Sequence, residues 1–448
     1  MKSSYLLNVW DAVRTSYWFV PSLFVAAAGL LAFLLPALDA VLADSGSSVP
    51  AWIDTTAESA RITLSTMAGA IITVAGTVFS ITIVTLSLAS QQFGPRLLRR
   101  FMHDLATQVT LGVFLATGFY CLLLLRALGR GSLGETVPNV SVLVAVVLVA
   151  VSVVVLIVFI HHIAMLIQAP QVVAGVAQDL NDSIERLYPR HAEHENDAQQ
   201  DGARMEAALG RSARVLESKR EGYIQALSEE GLGELAAKHD AVMRLHVHAG
   251  HFVSEGTALA DVWLRPSHAA EDGAGEALAA GVNNCLVVGA RRTPRQDAVA
   301  AVGELVEVAV RALSPGINDP FTAINCIDRL GAAMARLARK DAPAKYRFDD
   351  ASRLRVITRP VPFGKVMDAA FDQIRQHARN EVAVTARVLE ALAVVGAAAD
   401  SGDKRASVLQ HAAMAASVAD TLAEEHDRSA LLTRRAAVEQ ACGGDAAA

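Results

Sequence analysis

No charged side chain occurs between Arg61 and Arg96. A helix needs roughly 20 apolar residues to cross a bilayer core of about 30 Å, so this stretch can cross with length to spare. Three further stretches lack charge in the same way, between Arg14 and Asp39, between Asp104 and Arg126, and between Glu135 and Asp179. The predicted spans are 16–38, 62–92, 105–126 and 138–162. The first exceeds the apolar core of a secretory signal, about 7–15 residues. Tyr17-Trp18-Phe19 at its start suits an interfacial anchor, so it is expected to remain uncleaved.

Charge sets the rest of the organisation. The chain has 40 Lys/Arg against 46 Asp/Glu, and the whole excess of acid lies beyond Arg190. A mildly acidic remainder without a basic tract argues against nucleic acid as a partner. Lys2 and Arg14 precede the first span and Arg96, Arg99 and Arg100 follow the second, whereas Asp39, Asp44, Asp54 and Glu58 lie between them. Basic flanks face the cytoplasm. Arg126 and Arg130, between the third and fourth spans, run against the pattern. Four crossings then put the N-terminus and the C-terminal part on the cytoplasmic side of an inner membrane.

The second span is unusual in composition. Thr66, Thr73, Thr77, Ser80 and Ser87 recur at spacings that place them on one helical face. Small and hydroxylated residues permit close helix packing; the same stripe, contributed by several subunits, would line an uncharged polar pore. Val74, Ile81 and Val84 are the candidates for an apolar constriction. Apart from Arg126 at the very end of the third, no Asp, Glu, Lys or Arg falls within a predicted span, which counts against a proton-coupled pump. The fourth charge-free stretch is overlong, and is expected to leave the bilayer near His161-His162 and continue past a kink at Pro170. That histidine pair reads as an interfacial anchor, with pH sensing as the alternative.

The fold class expected is an α-helical membrane domain (1–170) of four transmembrane helices, joined to a mixed α+β, mostly helical cytosolic domain with a small β-module. Residues 171–206 form a helical stalk and linker, 207–290 the β-module, and 291–448 a mainly helical region. GYIQAL is strand-like, GLGELAAKHD a short helix, and AVMRLHVHAGHFVSEGTALADVW two strands around a turn. These strands resemble a fragment of the biotinyl and lipoyl carrier barrel, without the carrier lysine.

Candidate chemistry is sparse. His246 and His248 would share a strand face, and His251 would close a metal site after the turn; two exposed strand histidines are the plainer reading. SPGIND joins two predicted helices, with Asp319 as N-cap and Pro320 at the first helical position. Arg311, Ser314, Asn318 and Asp319 are the turn or interface candidates, able to hold an anion or a neighbouring subunit, and Arg311 is expected to pair locally with Asp328. Cys121, Cys285, Cys326 and Cys442 are too scattered for a disulfide scaffold or structural zinc site. No nucleophile, phosphate-loop or dinucleotide motif occurs, so neither a reaction nor a cofactor is implied.

QQFGPRLLRRFMHD after the second span, GYIQALSEEGLGELA, ARRTPRQD and RALSPGINDPFTA together resemble the family of predicted membrane proteins with domain of unknown function 2254. The resemblance spans nearly the whole chain. It implies a bacterial, membrane-embedded architecture and brings no catalytic residues. The expectation for function is a homo-oligomeric ion channel or pore, passing an ion or small solute, with the second span lining the path. The alternative is a membrane-anchored cytosolic sensor or scaffold without transport; a lipid or small-molecule transporter is a third option.

Overall fold

The computed structural model describes residues 17–44, 55–94, 104–129, 138–166, 168–189, 195–210, 213–264 and 274–443. The chain divides into two compact units, Met1–Gln171 and Val172–Ala448.

Four long apolar helices make up the first unit: α1 (Phe19–Asp44), α2 (Ala57–Phe93), α3 (Leu105–Gly129) and α4 (Asn139–Leu166). All four are long and apolar enough to cross a membrane. Lys2, Arg14, Arg96, Arg99 and Arg100, on which orientation was read, lie outside the described residues. Helix α3 sits centrally and packs against the other three. Its glycines permit this: a Cβ at Gly112 would meet Phe24 of α1 at 3.0 Å, and one at Gly118 would meet Ile72 of α2 at 3.3 Å. Tyr120, Cys121 and Leu124 of α3 form a core with Leu64, Ala28 and Ala145. The Thr117 and Ser152 hydroxyls meet between α3 and α4 at 3.2 Å.

Two carboxylates clamp opposite ends of this unit. Asp39 on α1 accepts from the Val140 and Ser141 amides (2.9 Å each) and from the Ser141 hydroxyl (2.6 Å), supplying acceptors that the start of α4 lacks. Asp104 accepts from the Thr107 amide (2.8 Å) and hydroxyl (2.6 Å), and also meets His162 Nε2 of α4 at 2.9 Å. His162 is thus tied into the bundle. Ser141 and His162 are separated by roughly 32 Å of helix, about one bilayer core. Helix α4 ends at Leu166, and α5 (Ala169–Leu187) has Pro170 in its first turn, where a missing N–H is harmless. Helix α2 is unbroken over 37 residues, about 56 Å, and stops at Gly94, whose φ of 102° few other residues adopt.

The second unit begins with α5, which buries Val172, Val176, Leu180 and Ile184. The stretch read as a linker contains a helix, α6 (Glu195–Ala207). Then follow β1 (Arg214–Glu217), β2 (Gly222–Leu227), α7 (Glu229–Lys238), β3 (Ala241–Leu245), β4 (Phe252–Val253), β5 (Ala258–Leu264), α8 (Ala274–Cys285) and β6 (Leu286–Gly289). Two more strands come later, β7 (Tyr346–Phe348) and β8 (Leu354–Ile357). One sheet has the order β1-β5-β3-β8-β7 and the other β4-β2-β6. The segment read as two strands around a turn supplies three, and β4 leaves for the second sheet, so no carrier-like barrel forms. Met243, Leu259, Val262 and Val356 lie in a core shared with Leu232 of α7 and Val282 of α8.

Helices α9 (Ala298–Ala312), α10 (Pro320–Ala338), α11 (Phe363–His377), α12 (Val382–Ala398), α13 (Gly402–Ala416) and α14 (Glu425–Gly443) complete the unit. Small residues again set the spacing, with Gly331 of α10 lying directly against Ala391 of α12.

Arg355 is the most buried cation of the β-module. It donates to Asp240 Oδ1 and Asp349 Oδ2, each at 2.9 Å. The Arg353 amide, then Arg355, hold the Asp349 carboxyl down to about 2.

Three outcomes are expected. Asp39→Ala leaves buried donors at the start of α4 unpaired and should cost about 2 kcal/mol, read by denaturant unfolding of the protein in micelles. Arg355→Met, which takes one guanidinium from two carboxylates that Arg353 still reaches, should cost a similar ~2 kcal/mol. Asp349 is depressed below its unfolded value of about 3.9, so its contribution is present above that pH and is lost as pH falls towards 2. Asp349→Asn should flatten this acid limb of the stability curve relative to wild type.

Candidate functional site

The sequence candidates fall in three places. On α2, Thr66, Thr73, Thr77, Ser80 and Ser87 are all exposed, whereas Leu64, Ala68, Ile71, Ala75 and Val78 are buried against the neighbouring helices. The hydroxyl stripe therefore faces away from α1, α3 and α4. Gly69 and Gly76 share this open side, with nothing within 4 Å of an added Cβ. Thr66, Thr73 and Thr77 donate to the carbonyls of Ile62, Gly69 and Thr73 at 2.9, 2.9 and 3.1 Å, so these donors are satisfied within the helix. Ile81 and Val84 are exposed, but Val74 packs with Ile71 and Val78 in a core cluster.

The three histidines do not assemble into a metal site. Strand β3 ends at Leu245, so His246 and His248 do not share a strand face. His246 Nε2 turns to Asp261 at 3.0 Å. His248 donates to the Ala249 carbonyl at 2.7 Å, and its ring lies 3.8 Å from that of His251. Among the described residues no group of three His, Cys, Asp or Glu could hold a metal. Burial, then the neighbouring His248, Arg359 and Arg292, push the His251 pKa down. The turn needs Gly250: its φ is 94°, and a Cβ there would lie 2.1 Å from Asp297 Oδ2.

SPGIND forms a closed local turn. The Ser314 hydroxyl donates to the Arg311 carbonyl at 2.6 Å, and the Asn318 and Asp319 amides donate to Ser314 and Ala312 at 2.9 and 2.8 Å. Asn318 is left-handed, φ 51°. Asp319 caps α10 by accepting from the Thr322 amide at 3.0 Å. Asp328 takes the Arg387 guanidinium, because α10 packs beside α12.

One feature had no sequence signature. A cleft of about 380 Å³ within the second unit is lined by Arg186, Arg295, Arg347 and Arg359, with His248 and a single carboxylate, Glu229. Its arginines come from α5, the loop before α9, β7 and the segment after β8. No spacing rule links them.

Residues 14–394 match the family described as Predicted membrane protein (DUF2254). The chain belongs to this family. It is also 29% identical over 428 residues to uncharacterized proteins of Mycobacterium bovis and Mycobacterium tuberculosis, covering 94% of this chain and 80% of each relative. No solved structure matches it. Membership agrees with the four apolar helices and assigns no role to the α2 stripe or the cleft.

Asp319→Ala should lower stability by about 1 kcal/mol, the usual worth of a helix N-cap, in thermal unfolding of the micellar protein. Asp319→Asn, which retains an acceptor, should recover most of it.

Proposed function

We propose that this membrane protein is a homo-oligomeric pore in the bacterial inner membrane, with α2 lining the path and the second unit in the cytoplasm as an assembly or regulatory element. The observation that carries this reading is the direction of the α2 stripe. Its five hydroxyls and two glycines point away from the chain's own helices, and a face so rich in small polar groups suits helix association or water better than acyl chains. Four helices per chain are too few to enclose a wide path, so copies must combine. Conduction would be passive, since the described spans carry no Asp, Glu, Lys, Arg or His midway along them. Ile81 and Val84 would then form an apolar ring that gates by dewetting.

A second reading, a membrane-anchored sensor or scaffold, is favoured by the basic cleft, which a passive pore does not need.

Planar-bilayer recording of the full-length protein separates the two. A pore predicts discrete openings, and in Thr73→Val or Ser80→Ala a conductance change of about fivefold, equivalent to roughly 1 kcal/mol for one lost polar contact. Silent bilayers from correctly folded protein, across voltage, tension and pH, would support the sensor. Openings indifferent to both substitutions would move the path off α2.

A further inference from the structure

The second unit has more carboxylates than bases, and several of its arginines pair with them. Arg355 takes Asp240 and Asp349, Arg387 takes Asp328 and Glu390, Arg434 takes Glu390, and Arg292 takes Asp297. Around the cleft this pattern stops. Arg347 meets Glu229 at 2.5 Å, yet its Nε is buried without a partner. Among the described residues, Arg186 donates only to the Ser183 hydroxyl (3.2 Å) and Arg359 only to the His246 carbonyl (3.4 Å), while Arg295 pairs with no carboxylate. Asp297, which precedes Ala298 of the cleft wall, pairs with Arg292 at 2.7 Å. Three guanidinium groups thus converge on one concavity without counter-charge, in a chain whose net charge is −6.

We propose that this cleft binds a phosphate-bearing small molecule of about nucleotide size. Planar guanidinium forks match phosphate oxygens in pairs, and three of them suit an anion of two or more charges better than one carboxylate. The remaining wall is apolar, with Leu227, Leu245, Val247, Pro360 and Val361, and accommodates the less polar body of such a ligand. A volume of about 380 Å³ falls within the range of small-molecule sites, about 300–1,000 Å³. The assignment does not depend on conduction, because the cleft lies wholly within the second unit.

The test is calorimetric titration of the full-length protein in phosphatidylcholine nanodiscs with ADP, pyrophosphate and adenosine at near-physiological salt. ADP and pyrophosphate should bind and adenosine should not. Arg295→Gln and Arg359→Gln, both exposed positions that leave the core intact, should each weaken ADP by about tenfold or more. Arg291→Gln, which removes the same charge outside the cleft, should leave it unchanged. ADP binding no better than adenosine, or equal losses in all three variants, would overturn the site. So would displacement of ADP by phosphatidylglycerol nanodiscs, which would make a lipid headgroup the occupant.

Discussion

The first amides of α4 are satisfied by another helix: Asp39, near the end of α1, accepts from Val140 and Ser141. At a membrane boundary such groups have few alternatives, and each left bare costs several kcal/mol in hydrocarbon. At the other end Asp104 does the equivalent work, capping α3 through Thr107 and holding His162 of α4. The two clamps lie about one bilayer core apart. Together they fix the length and register of the bundle, and everything packed on α3 follows from them.

With register fixed, each helix has only one face left to present outwards. Glycines of α3 bring α1 and α2 close, and Thr117 and Ser152 join α3 to α4. Helix α2 spends its Leu64, Ala68, Ile71 and Val78 on that contact, which turns the hydroxyl stripe outwards. Back-bonding to carbonyls four residues earlier keeps Thr66, Thr73 and Thr77 tolerable there. It does not make the face apolar, and the reading of α2 as a pore or association surface rests on that remainder.

The second unit is governed by charge pairing. Carboxylates outnumber bases, and pairs such as Arg387–Asp328 tie neighbouring helices together. The cleft departs from this rule, with converging guanidinium groups and one acid. Local departures from an otherwise consistent pattern are where function is to be sought.

The four spans, the β2 and α7 segments, and the Asp319 cap were legible in the sequence, because each depends on local chemistry: unbroken apolar length, alternation, or a capping side chain beside its helix. Where the sequence misled, the deciding partner was remote. His246 and His248 read as one strand face, but β3 stops short of both. The hydroxyl stripe was visible as a periodicity, while its outward direction depended on which face of α2 met α3. Arg186, Arg295, Arg347 and Arg359 were each ordinary in sequence. Only the tertiary fold could gather them, because a long-range cluster leaves no local pattern to read.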